Sequence, residues 1–98
     1  MKGVNMRESA LERRLVREVK KIGGEAPKWV SPGERGVPDR IVLLPNGQTV
    51  YVEMKAPGEQ LTPLQERWKR KLLKLGHRHY KLDSNEDIDR FIDEVRAK

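Results

Sequence analysis

The 98-residue chain is 36% apolar and 37% charged, with only five aromatic residues, so a single domain with a small core is expected. It has no cysteine and only His77 and His79, which argues against disulfides, a thiolate metal site, a cysteine nucleophile, a serine–histidine triad and a multi-histidine zinc site. No stretch approaches the roughly 18 apolar residues of a membrane span. The first eight residues lack the apolar run of a secretory signal, and a cytoplasmic location is expected. Twenty-one Lys/Arg against fifteen Asp/Glu give a net charge of +6. The C-terminal residues 83–98 hold six acids and three bases, which leaves the rest of the chain at +9. A basic surface of that size suits a polyanion, most often nucleic acid.

The first predicted element is a helix over 7–22, with Asn5 and Glu8 as a capping box and Gly23-Gly24 as its stop. Leu11, Leu15, Val16, Val19 and Ile22 fall on one arc of it. Arg13, Arg14, Arg17, Lys20 and Lys21 fall on the other side. Residues 26–31 read as a short strand with Trp29 and Val30 as its bulk, followed by a loop from Ser31 through Arg35 to Gly36. Strands over 39–44 and 48–55 flank Pro45-Asn46-Gly47. Pro45 suits the first central position of a type I turn, and Gly47 the left-handed position after it. A three-residue hairpin loop with a bulge follows. A loop over 56–61 leads to a second helix, with Thr62 as N-cap, Pro63 in the first turn and a stop at Gly76. Residues 78–82 form the last strand. Ser84 caps a final helix through Ala97, striped by Ile88, Phe91, Ile92 and Val95. This order packs as an α/β sandwich with a mixed sheet, the second helix being a right-handed crossover.

The hairpin carries the chemistry. Alternation puts Glu53 and Lys55 on one face of their strand and Met54 on the other. If Leu44 pairs with Gln48, Asp39 stands directly opposite Glu53, and two carboxylates lie within about 5 Å on one face. A two-residue loop would instead turn Asp39 away. The repulsion calls for a counter-charge, and a hard divalent cation such as Mg²⁺ or Mn²⁺ is the simplest. Lys55 stands beside the pair, suited to position or deprotonate an attacking water or to steady charge on a phosphorane. The bland alternative is a solvated Glu53/Lys55 pair.

Glu12 lies inside the apolar arc of the first helix, where a charge is costly without a partner. It either reaches the rim of the core or serves as a third carboxylate. Gln65 either closes a capping box with Thr62 or orients water or phosphate beside Asp39 and Glu53. Ser31, Arg35, Arg67, Lys69, Arg70, Lys71 and Lys74 are candidate DNA contacts. His79 reads as a strand residue, and Trp29 and Trp68 as core rather than base-stacking residues.

Gly36-Val37-Pro38-Asp39 followed by Glu53-Met54-Lys55 resembles the PD-(D/E)xK nuclease signature, and the element order resembles that superfamily's restriction-endonuclease-like αβββαβ core plus a C-terminal helix. More closely, Glu12-Arg13-Arg14-Leu15-Val16, Val30-Ser31-Pro32-Gly33, Gly36 to Asp39, Glu53 to Lys55 and Leu61 to Gln65 resemble the stand-alone VRR-NUC domains typical of phages. The resemblance implies a metal-dependent phosphodiesterase. Glu12, Asp39, Glu53 and the Met54 carbonyl would hold Mg²⁺ or Mn²⁺, Lys55 would be the catalytic lysine, and Gln65 the family's helix glutamine. Similarity to Holliday-junction resolvases implies a homodimer cutting four-way DNA junctions, in the host cytoplasm if phage-encoded. Flap-cutting repair nucleases share the chemistry, and a noncatalytic basic DNA-binding module is the rival from another class.

Overall fold

A computed structural model describes residues 2–96, with side chains from residue 7 onward. Its elements are α1 (Lys2–Lys21), β1 (Arg40–Leu43), β2 (Thr49–Met54), α2 (Pro63–Lys74), β3 (Arg78–Leu82) and α3 (Asn85–Arg96). The sheet order is β1-β2-β3, with β1 antiparallel and β3 parallel to β2. Helix α2 is the crossover between the two parallel strands, which need a long connection. No helix among the described residues is long and apolar enough to cross a membrane.

The hairpin register is the expected one. Arg40 pairs with Val52 and Leu43 with Thr49, and the Leu44 amide donates to the Gln48 carbonyl at 2.8 Å. The turn differs in one respect: Asn46, at φ 69°, joins Gly47, at φ 77°, in the left-handed region. Asparagine tolerates that conformation because its short polar side chain hydrogen-bonds locally. Loop length is unchanged, so the register survives.

Alternation along β2 divides the molecule. Val50, Val52 and Met54 face one side and are buried with Val42 and Leu82 against Leu11, Leu15 and Val19 of α1 and Ile88, Phe91 and Val95 of α3. Tyr51 and Glu53 face the other side, which α2 covers. The α1 stripe is as expected, with Val16 and Ile22 at its margin. Ser84 Oγ accepts from the Asp87 amide at 3.0 Å and caps α3.

Three expectations need correction. Helix α1 runs back to Lys2, so Asn5 lies within it rather than at its start. The Asn5 side chain, like Ala97, lies outside the described residues. Residues 26–31 do not form a full strand. Glu25 and Lys28 make single bridges to Leu43 and Arg40, and Val30 is 75% exposed. Pro27 between the bridges has no amide hydrogen to extend a ladder. Finally, Trp29 and Trp68 are half-buried and outside the main core. They stack edge-on at 5.6 Å between ring centroids, with Tyr51 5.4 Å from Trp29, forming a second cluster on the α2 side of the sheet.

Candidate active site

Asp39 precedes β1 and Glu53 lies in β2, and continuing the ladder by one pair beyond Arg40 and Val52 sets them opposite each other. The backbone fixes Asp39 at both ends. Its Oδ2 accepts from the Met54 amide at 2.9 Å, and its carbonyl accepts from the Trp29 amide at 2.9 Å. Glu53 is 2% exposed. Its Oε2 accepts from Gln65 Nε2 at 2.9 Å, whereas its Oε1 is buried without a partner.

Isolating a carboxylate in this way disfavours its charged form. Burial, and then the Asp39 charge, push Glu53 up to about 8, against the pull of Lys55. Asp39 is also raised by burial, opposed by the Met54 amide. The Lys55 charge favours ionisation of both.

Gln65 closes the capping box, the first of its two readings, and also reaches Glu53. Its Oε1 accepts from the Thr62 amide at 2.9 Å and its amide donates to Thr62 Oγ1 at 3.2 Å, closing the capping box. Its remaining Nε2 is thereby aimed at Glu53. Gly36 sets this helix start in place. It has φ +87°, and a Cβ there would fall 2.7 Å from the Leu64 carbonyl. Only glycine lets the loop approach α2 so closely.

Glu12 has a partner, but it is not a metal ion. Arg40 Nε donates to Glu12 Oε2 at 2.8 Å, and the same guanidinium donates to the Ala26 carbonyl. Arg40 follows Asp39, so alternation turns it to the opposite sheet face, where α1 lies. The expected three-carboxylate gathering is accordingly not formed. Among the described residues, no three His, Cys, Asp or Glu side chains are placed to hold one metal ion. The Glu12 charge is among the causes that raise Asp39. Glu8, expected only at a cap, lies nearer the site: burial raises it, followed by the charges of Asp39 and Glu59. Sequence reasoning missed Arg40, although the same register that paired Asp39 with Glu53 put Arg40 on the α1 side.

Asp39 and Glu53 suit a hard divalent cation chemically, because Glu53 Oε1 has no donor and the two acids otherwise repel. Around them the bases divide. Arg35, Arg67 and Lys71 line an open cleft of about 360 Å³ with Trp68, and Lys71 Nζ sits 4.6 Å over the Trp68 ring. Arg70 and Lys74 are exposed and share that helix face by spacing. The Lys69 charge acts instead on His79 of β3, which it lowers after burial does. Ser31 is half-buried in the loop, and its carbonyl accepts from the Glu34 amide.

Known proteins bear on this site. The family model described as "VRR-NUC domain" matches residues 1–86, which include every residue of the carboxylate site. A protein named "Putative nuclease p44", from Acyrthosiphon pisum secondary endosymbiont phage 1, is 57% identical over 81 residues, or 83% of this chain and 87% of that protein. A solved structure described as a VRR_NUC domain superposes with a TM-score of 0.84 at 26% identity, covering 89% of this chain and 95% of that one. The three-stranded mixed sheet flanked by helices is consistent with a restriction-endonuclease-like core.

Proposed function

The chain belongs to the VRR-NUC family, and from that premise we propose that it is a Mg²⁺- or Mn²⁺-dependent DNA endonuclease acting on branched DNA. The observation that carries the reading is Glu53: a buried carboxylate with one unpartnered oxygen, opposite Asp39 and beside Lys55. Burying such a group unsatisfied is costly, so its place is explained by what it binds.

Asp39, Glu53 and the Met54 carbonyl would hold the ion, with Glu12 available only if Arg40 releases it. When bound, the ion supplies Lewis acidity toward the phosphate and lowers the pKa of water. The protein's own part is charge and position. Lys55 places an ammonium beside the reacting phosphate, where it orients water and offsets the negative charge that grows as phosphorus is attacked. Water adds to phosphorus, the bond to the leaving sugar oxygen breaks, and a proton passes to that oxygen. Gln65 holds Glu53 still throughout. The cleft of Arg35, Arg67 and Lys71, with Arg70 and Lys74 alongside, receives the DNA backbone, and Ser31 lies in the same loop as Arg35. Selectivity is for DNA structure rather than base sequence. A homodimer cutting symmetric strands of a four-way junction fits that selectivity, and the host cytoplasm is the place of action for a phage-encoded copy.

One observation favours the rival reading, a noncatalytic DNA-binding module: Glu12 is satisfied by Arg40 and needs no ion. Incubating the purified chain with Mg²⁺ or Mn²⁺ and a panel of four-way junction, flap, linear duplex and single strand tests both. Paired symmetric cuts in the junction support the dimeric resolvase, and flap preference moves the reading to repair. Absence of cutting on the whole panel leaves the rival. Cutting in EDTA overturns the metal requirement.

A further inference from the structure

A second basic site lies across the sheet from the α2 cleft. It is a cavity of about 500 Å³ between α1 and the start of α3, edged by Arg7, Arg14 and Arg17, with Ala10, Leu11 and Pro57 among its lining. Glu86 is the one acidic residue lining it. Arg14 is held in place, donating to Asn85 and Asp89. Arg7 and Arg17 are exposed, and no ion pair engages either among the described residues. The undescribed residues Met1, Ala97 and Lys98 and the undescribed side chains of residues 2–6 include no Asp or Glu.

The cavity adjoins the carboxylate site by two routes. Pro57 follows Lys55 by two positions, in the loop that leaves the strand carrying Glu53. Glu8, the chain neighbour of Arg7, lies within the field of Asp39 and Lys55.

We propose that this cavity binds one nucleotide of the DNA strand next to the scissile phosphodiester, its phosphate on Arg7 and Arg17 and its sugar against the Ala10, Leu11 and Pro57 floor. Guanidinium pairs suit phosphate oxygens through their planar fork of donors. A volume of this order accommodates a nucleotide rather than an isolated anion. The apolar floor distinguishes the site from a merely solvated basic face. The placement of the cavity relative to the cut rests on the nuclease reading, whereas its affinity for DNA backbone does not.

The test is DNA binding by fluorescence anisotropy in EDTA, where no cutting is expected, over a range of salt. The double variant Arg7→Gln/Arg17→Gln is compared with Arg13→Gln/Lys20→Gln, which removes the same charge from exposed α1 positions outside the cavity. The cavity variant is expected to bind roughly tenfold more weakly, with a log–log salt slope shallower by about one to two. The control is expected to change less than about threefold. Equal weakening in both doubles, or none in the cavity variant, overturns the site. Melting curves check that both doubles are folded.

Neutral methylphosphonates placed one at a time beside the mapped cut supply the second arm. One such position is expected to weaken wild-type binding and to have no effect in Arg7→Gln/Arg17→Gln. Identical sensitivity in both proteins overturns the adjacency to the cut. If the wild type cuts no DNA yet the cavity variant alone loses affinity, the nuclease reading falls and the phosphate site stands.

Discussion

Gln65 joins a helix cap to a buried acid: one end of its amide accepts from the Thr62 backbone and the other donates to Glu53. The two duties are separable by mutation. Thr62→Ala removes only the cap and is expected to cost about 1 kcal/mol of stability with cleavage little changed. Gln65→Ala loses the cap bond and frees Glu53, and is expected to lower the cleavage rate at least tenfold. Single-turnover rates beside melting curves check this; equal rates in both variants would show that the Glu53 contact is incidental.

Asp39→Asn retains an oxygen for the Met54 amide but removes the charge. A loss of at least about 100-fold in cleavage is expected, worth roughly 2.7 kcal/mol of barrier, with DNA binding preserved. Lys55→Ala should behave alike. Efficient cutting by either purified variant contradicts the roles assigned to them.

Stability should depend on pH through Glu53. Its folded value is raised to about 8 from an ordinary 4.5, so between those values the folded chain keeps a proton that the unfolded chain has released. The folded state binds more protons there, and stability falls as pH rises. The contribution is full below about pH 4.5 and exhausted above about pH 8, a change on the order of a few kcal/mol. Chemical denaturation at pH 5, 6.5 and 8 in EDTA measures it. Glu53→Gln should flatten the decline, and a parallel decline in that variant would assign it to other groups.

Isothermal titration of Mn²⁺ at pH 7.5 should show specific binding accompanied by proton release, because the ion displaces the proton on Glu53. Glu53→Gln should abolish the binding. Glu12→Gln should weaken it far less, since Arg40 already occupies that carboxylate. Equal losses in the two variants would place Glu12 in the ligand set as an equal member.

Gly36→Ala tests the loop approach. The strained φ and the contact with Leu64 together are expected to cost about 1–3 kcal/mol, and to slow cleavage by moving Gln65 away from Glu53. A variant as stable and as active as wild type would show that the loop gives way freely.

Much of this arrangement is written locally in the chain. The three residues between Leu44 and Gln48 fix the hairpin register, and the register alone sets Asp39 opposite Glu53. Thr62, Pro63 and Gln65 specify the start of α2 because a helix end must satisfy its own free amides with nearby side chains. The Ile88, Phe91, Ile92 and Val95 stripe follows from helical spacing, and all four are buried. What depends on distant segments meeting was decided only by the tertiary structure. Glu12 needed a partner, yet periodicity could not say whether a metal ion or Arg40, 28 residues away, would supply it. The second bond of Gln65 exists because α2 packs on the Glu53 face of the sheet, while α1 packs on the other. Local spacing determines which side a residue faces; which partner waits on that side is set by how the layers stack.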